Sequence, residues 1–234
     1  MKSNKIVFLL LVLAILLRFG FIFGTHAFVH PETVEGGVIA HAIVTGQGFS
    51  MSSPHRSDYF PSAIQAPVFP ILLAGFYYLF GENDNAHLVL MLFQSALSVW
   101  LCYLIYQLGR IIFDEKTGLI AMAIAVFYPI FIIYSGRALN TMTSIFTVTF
   151  FFYLLLKYTY AKKPDIPLSY KNSVYLGISA GIAVLSEPGM VGFLVLFALF
   201  YLLFFFLKYS RKINIQIPGF KFLFITGIVD QMSF

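Results

Sequence analysis

APVFPILLAGFYYLF, from Ala66 to Phe80, is the stretch on which the topology of this chain turns. It is apolar throughout apart from its tyrosine hydroxyls, and Pro67 and Pro70 mark its start. As a helix it rises only about 22 Å, short of the roughly 30 Å hydrocarbon core of a bilayer. Other apolar runs lie at about 6–28, 86–108, 118–135, 139–156, 173–186 and 189–207. The basic residues between them decide whether 66–80 crosses, because short cytoplasmic loops collect lysine and arginine. If 66–80 stays on the outer surface, Lys2 and Lys5, Arg110 and Lys116, the Lys157–Lys171 loop and Lys208–Lys212 all fall inside. If it crosses, the lysine-rich loop at 157–171 lands outside. We therefore read 66–80 as a juxtamembrane or re-entrant piece.

The fold predicted is all-α: a polytopic membrane protein with about six transmembrane helices, a cytoplasmic N-terminus and a long external first loop carrying juxtamembrane helices. The first helix covers 6–28, the loop 29–85, and five further spans lie within 86–207. The span at 173–186 is the weakest, being short and holding Gly177 and Gly181. Residues 1–212 form the membrane module. From 213 to 234 a new apolar run starts and stops at Asp230. It reads as a seventh helix cut off at its beginning, or as a short tail docking on the membrane.

Composition agrees. Of 234 residues 59% are hydrophobic and only 11% charged, against about 25% charged in soluble domains. Mean hydropathy is +0.86. The segments are continuously apolar rather than alternating, which argues against a β-barrel. A net charge of +5 does not point to nucleic acid, since the basic residues sit in short clusters between apolar runs. Cys102 is the one cysteine, so no intrachain disulfide forms. The leading run is longer than a signal-peptide core and lacks a small-residue cleavage site, so a retained helix is expected.

Two features stand out against this background. Arg18 interrupts the first span near mid-membrane; an intramembrane charge is costly and marks function or pairing, unless the side chain snorkels to the headgroups. The second is the polar region 30–65, which holds Glu32, Glu35, His41, His55, Arg56 and Asp58. Glu32 and Glu35 are three apart, on one face if the segment is helical. Two such carboxylates beside a membrane suit a general base or a divalent cation; a solvated acidic loop is the plain alternative. His26 and His30 have the i, i+4 spacing of a zinc pair, but Pro31 and the membrane boundary speak against a helix there, and no metal site is assigned. Tyrosines at the span ends fit the interfacial belt. No phosphate loop or nucleophilic triad is present.

The order of elements resembles the C-type membrane glycosyltransferases, including protein O-mannosyltransferases, lipid A aminoarabinose transferases and the bacterial family-39-like enzymes. Members carry an LLR-like end to the first helix, here LLRFGF around Arg18. A loop follows in the pattern D-x-x-E-Y-x-x-x-A-x-x-x-x-x-G-x-G, whose positions here hold Glu32 (aspartate's longer homologue), Glu35, Gly36, Ala40, Gly46 and Gly48. Next come a proline-rich piece ending Leu-Phe-Gly (Gln65–Asn83), a Leu-Gly-Arg-x-x-Phe motif (Leu108, Gly109, Arg110, Phe113) and a Tyr-Pro…Tyr-Ser-x-Arg segment (Tyr128, Pro129, Tyr134, Ser135, Arg137). GIAVLSEP at 181–188 loosely matches GLAxLTRP.

The resemblance implies transfer of a sugar from a polyprenyl-phosphate donor to a lipid, glycan or protein acceptor, at the outer face of a bacterial cytoplasmic membrane. It makes Glu32 the base or acceptor-positioning acid, with Glu35 beside it. Arg18 or Arg137 would meet the departing phosphate, and Arg56 and Asp58 would bind substrate. A divalent cation is a conceivable cofactor. Three positions depart from the pattern: Gly36 replaces a tyrosine, Asn140 and Thr141 stand where relatives carry an acid after the arginine, and Glu187 stands where they carry a basic residue. Two other readings stay open: a non-catalytic or fragmentary scaffold, and a small transporter, for which Gln94, Ser95, Ser98 and the threonines at 141–149 supply only a thin polar path.

Overall fold

The computed structural model describes residues 2–52, 58–159 and 169–211. The tail 213–234, together with His55, Arg56, Lys162 and Lys163, lies outside the described residues. The chain folds as α1 (Lys2–Thr25), α2 (Val34–Val44), β1 (Ser50–Ser52), β2 (Tyr59–Pro61), α3 (Val68–Phe80), α4 (Asp84–Ile112), α5 (Glu115–Phe127), α6 (Pro129–Ser135), α7 (Thr141–Thr159), α8 (Tyr170–Ser186) and α9 (Gly189–Arg211). It is an all-α membrane protein; β1 and β2 pair only with each other, antiparallel, with Met51 opposite Phe60. Among the described residues α1, α4 and α7 are each long and apolar enough to cross a membrane, and α5 and α6 pass the same test only when the bent pair is taken together.

The hub is α4. Its 29 residues rise about 43 Å, more than a bilayer core requires, and it packs against α1, α3, α5, α6 and α7. Asn83 caps its start, accepting from the Asn85 and Ala86 backbone N–H groups. At its far end Gly109 crosses Gly118 of α5 so closely that a Cβ on Gly109 would stand 2.6 Å from the Gly118 Cα. A Cβ on Gly118 would meet the Tyr106 carbonyl at 2.6 Å. The Leu-Gly-Arg motif is therefore a packing device: glycine lets two backbones touch.

Arg18 holds the other side of the hub. It is wholly enclosed, 0% exposed. Its Nε donates to the Ser98 hydroxyl at 2.8 Å, Nη1 to the carbonyls of Ala14 (3.1 Å) and Val126 (3.4 Å), and Nη2 lies 3.3 Å from the Cys102 sulfur. Ser98 in turn donates to the Phe131 carbonyl at 3.2 Å. Pairing inside the bundle, rather than snorkelling, describes this arginine. Its position has a physical cause. The run 118–135, expected as one span, breaks at Tyr128-Pro129 into α5 and α6, bent by 53°. Proline lacks an N–H and pushes the preceding residue into extended conformation; Tyr128 has φ −67° and ψ 116°. The break leaves carbonyls of the last α5 turn without helical partners, at the negative end of the helix dipole. The Arg18 guanidinium is placed there.

The segment between α1 and α4 folds back on one end of the bundle. The His30 backbone N–H donates to the Asp84 carboxylate at 3.1 Å, so the chain leaves and re-joins the bundle at the same end. α2 packs on α3, and α3 on α4. One core joins the segment to the spans: Ala40, Phe69, Leu73 and Tyr77 from the segment, with Ile22 of α1, Leu90 of α4 and Ala138.

Two stability outcomes follow. Arg18→Lys keeps a charge but loses the planar fork and leaves buried acceptors short of donors, at about 1–3 kcal/mol each. Its unfolding midpoint in detergent should fall clearly below wild type; an unchanged midpoint would rule out the bracing role. Gly118→Ala should cost about 1–3 kcal/mol by overpacking, read by the same thermal melt.

Candidate active site

The segment around Glu32 is held by close backbone packing and by left-handed turns. Val34 (φ 47°), His30 (φ 46°) and His26 (φ 50°) are left-handed without being glycine. For a β-branched residue such as Val34 this is an uncommon backbone state, costing of order 1–3 kcal/mol. The expectation that Glu32 and Glu35 share a helix face is corrected here. α2 begins only at Val34, so Glu32 lies in the non-helical approach to it, exposed, while Glu35 is half-buried in the first helical turn. Likewise α1 ends at Thr25, which puts His26 and His30 outside any helix.

Gly36 and Gly37 are both buried and both necessary. A Cβ on Gly36 would strike the Phe69 ring at 2.8 Å and stand 3.0 Å from the Gln65 Oε1. The space a tyrosine side chain would need at this position is taken by Phe69. A Cβ on Gly37 would lie 1.9 Å from the Thr33 Oγ1. Gly46 (φ 81°) and Gly48 (φ 70°) turn the chain out of α2 toward β1, a conformation that favours glycine. Ala40 is fully buried in the shared core. Of the Glu32–Gly48 pattern, then, the alanine and glycines build the segment, and the two glutamates are left facing outward or nearly so.

Polar contacts fasten the segment to α3 and α4. His41 Nδ1 meets the Glu82 carboxylate at 2.6 Å, and His30 Nδ1 lies 3.8 Å from Asp84. The Tyr77 hydroxyl lies 3.0 Å from Nε2 of His87. Burial, with the Glu82 charge adding to it, pushes the Tyr77 phenol up to about 12; it keeps its proton at any working pH. Composition and spacing did not single out these contacts, because they join residues far apart in sequence. His87 lies on the buried face of α4, beside Leu90 and Met91.

Arg137 is exposed between two buried residues, Gly136 and Ala138. A Cβ on Gly136 would meet the Phe21 ring of α1 at 2.8 Å, and Ala138 joins the core shared with Ala40 and Tyr77. Arg137 thus stands at the same end of the bundle as Glu32 and Glu35, whereas Arg18 is inside it with its donors engaged. Asp58 is exposed just before β2, and Arg56 is outside the described residues. Glu187 is exposed in the turn between α8 and α9. Among the described residues no group of three or more potential metal ligands gathers. Glu32 and Glu35 have no third such side chain gathered beside them among the described residues. An apolar groove of about 450 Å³ lies along α1 and α4, lined by Leu11, Ile15, Phe19, Val99, Trp100 and Tyr103 among others. Its lining contains no carboxylate, histidine or cation.

Comparison with known proteins gives one positive result. A family model described as dolichyl-phosphate-mannose-protein mannosyltransferase matches residues 64–226. The match begins after the Glu32–Glu35 segment and runs from the approach to α3 beyond α9. No curated protein and no solved structure matches the chain.

Proposed function

Because the chain belongs to the dolichyl-phosphate-mannose-protein mannosyltransferase family, we propose that it transfers a sugar from a polyprenyl-phosphate donor to an acceptor hydroxyl at the external face of a bacterial cytoplasmic membrane. The acceptor is a lipid, glycan or protein. The observation that carries this reading is that Glu32 and Arg137 are both exposed at the same end of the bundle, the one capped by α2 and α3.

The chemistry needs a base and a cation. The Glu32 carboxylate takes the proton of the acceptor hydroxyl. The acceptor oxygen bonds to the anomeric carbon, and the bond from that carbon to the donor phosphate oxygen breaks. The polyprenyl phosphate leaves with the electron pair. The Arg137 guanidinium offers paired donors to the departing phosphate. Glu35 supports Glu32 from the first turn of α2, and Arg56 and Asp58 contact substrate. Arg18 keeps its bracing contacts instead of meeting phosphate, because release would strand the Val126 carbonyl and Ser98.

The orientation draws on charge. Lys5 at the start of α1, Arg110 at the end of α4, Lys116 in the first turn of α5 and Lys157 at the end of α7 share the end away from the cap, joined there by the Gly109–Gly118 crossing and by Ser3 at 3.4 Å from the Tyr106 hydroxyl. The positive-inside rule makes that end cytoplasmic. α3 buries Phe69, Leu73 and Tyr77 and exposes Ile71, Tyr78 and Leu79. Apolar on both faces, α3 suits the hydrocarbon edge, and its 13 residues are too few to cross a core of about 30 Å. With α8 and α9 crossing as well, the module has six spans. A non-catalytic scaffold is the second reading, favoured by Asn140 and Thr141 where relatives carry an acid.

Membranes containing the protein should move label from a polyprenyl-phosphate sugar to a membrane acceptor, and Glu32→Gln should abolish most of that transfer while the protein stays folded. Full activity in Glu32→Gln would remove the base role; no transfer by the wild type under any acceptor would favour the scaffold. Cysteines placed at Ser52 and Ser169 should react with an impermeant maleimide from opposite sides. Cys102 is fully buried and gives little background. Labelling from the same side would overturn the topology.

A further inference from the structure

We propose that Gln94 is a positioning residue for Arg137, acting through the turn between α6 and α7. The inference rests on the reading of Arg137 as the cation that meets the donor phosphate. Gln94 lies on α4 and is 0% exposed. Its Nε2 donates to the Leu139 carbonyl at 2.7 Å. The Leu139 backbone N–H in turn donates to the Arg137 carbonyl at 2.9 Å, closing a three-residue turn centred on Ala138. Two successive hydrogen bonds thus run from the hub helix to the backbone of Arg137. Gln94 is too enclosed to touch substrate, so whatever it contributes passes through that turn.

The geometry favours positioning over mere packing. Arg137 is exposed on a short non-helical turn whose flanking residues are buried, Gly136 against Phe21 and Ala138 in the core shared with α2, α3 and α4. Those apolar contacts hold the turn down, but they are non-directional and leave the rotation of its peptide planes open. The hydrogen bond from Gln94 is directional, and it comes from the helix on which the bundle is built. Irregular backbone at membrane depth is tolerated where protein groups satisfy it; for the Leu139 carbonyl that group is the Gln94 amide. The other half of the amide, Oε1, is buried without a hydrogen-bond partner among the described residues. A half-paired amide in an apolar bundle carries a desolvation cost that a methionine would avoid. What the glutamine adds over methionine is a fixed orientation for the turn that aims Arg137.

Gln94→Met keeps the length of the side chain and removes its donor. In the transfer assay it should lower kcat/KM for the polyprenyl-phosphate donor roughly 10- to 100-fold, as expected for a misplaced contact to the reacting group, and leave the KM for the acceptor unchanged. Gln94→Glu, neutral when buried and so still able to donate to the Leu139 carbonyl, should recover most of the rate. In the Arg137→Ala background Gln94→Met should cause no further decrease; losses that multiply would make Gln94 a packing residue and overturn the inference. A wild-type kcat/KM for Gln94→Met, with Arg137→Ala impaired, would also overturn it and leave the Arg137 assignment intact. An unimpaired Arg137→Ala would instead defeat that assignment, and the inference with it. Amide hydrogen exchange of the purified protein tests the same link without activity. Gln94→Met should speed exchange over residues 136–140 while α4 keeps its protection; unchanged exchange there would sink the proposal.

Discussion

A buried arginine without a carboxylate partner among the described residues is the constraint around which the bundle is arranged. Arg18 ties α1 to α4 through Ser98 and Cys102, and to the end of α5 through the Val126 carbonyl. A cation in an apolar bundle is tolerable only when its donors are satisfied and a negative potential faces it. The proline break between α5 and α6 supplies that potential as open carbonyls at a helix C-terminus. Arginine and break are thus complementary defects. Each would be costly alone, and together they fix the relation of three helices. The arrangement also explains why a charge can sit in the first span without reaching water.

Glycine does the same work at the two ends of α4 by different means. At one end Gly109 and Gly118 bring two backbones into contact and set the α4–α5 hairpin. At the other, Gly36 and Gly37 let α2 lie on Phe69 and accept the Thr33 hydroxyl. Motif residues that looked like functional signatures in sequence divide accordingly. Leu-Gly-Arg, Ala40, Gly46 and Gly48 are architecture. Glu32 and Arg137 are what that architecture leaves exposed at the capped end. The departure at Gly36 belongs to the architecture as well, since Phe69 fills the space.

Family membership and this division support each other without overlapping. The matched region, 64–226, contains α3, the α4 hub and the Arg137 turn. The glutamate segment precedes it and is tied to it by contacts with Gln65, Phe69, Tyr77 and Glu82. Those contacts hold the Glu32–Glu35 segment at the end of the bundle where Arg137 stands.

Apolar run lengths and the scarcity of charge were enough, by themselves, to determine an all-α membrane protein. These are sums over neighbouring residues, which local sequence carries. The likeness to a sugar-transferase family was legible in the same way, from motifs in order. Tertiary structure decided the rest. It broke 118–135 into two helices, because a proline kink in a membrane helix is tolerated only where other groups satisfy the freed carbonyls, and those groups are on α1. It moved Glu32 out of the helix that spacing had suggested. It paired Tyr77 with His87 and enclosed Arg18. Arg18 meets its partners across 80 to 108 residues of chain, and the energy of such contacts depends on burial and geometry that exist only once the helices have packed.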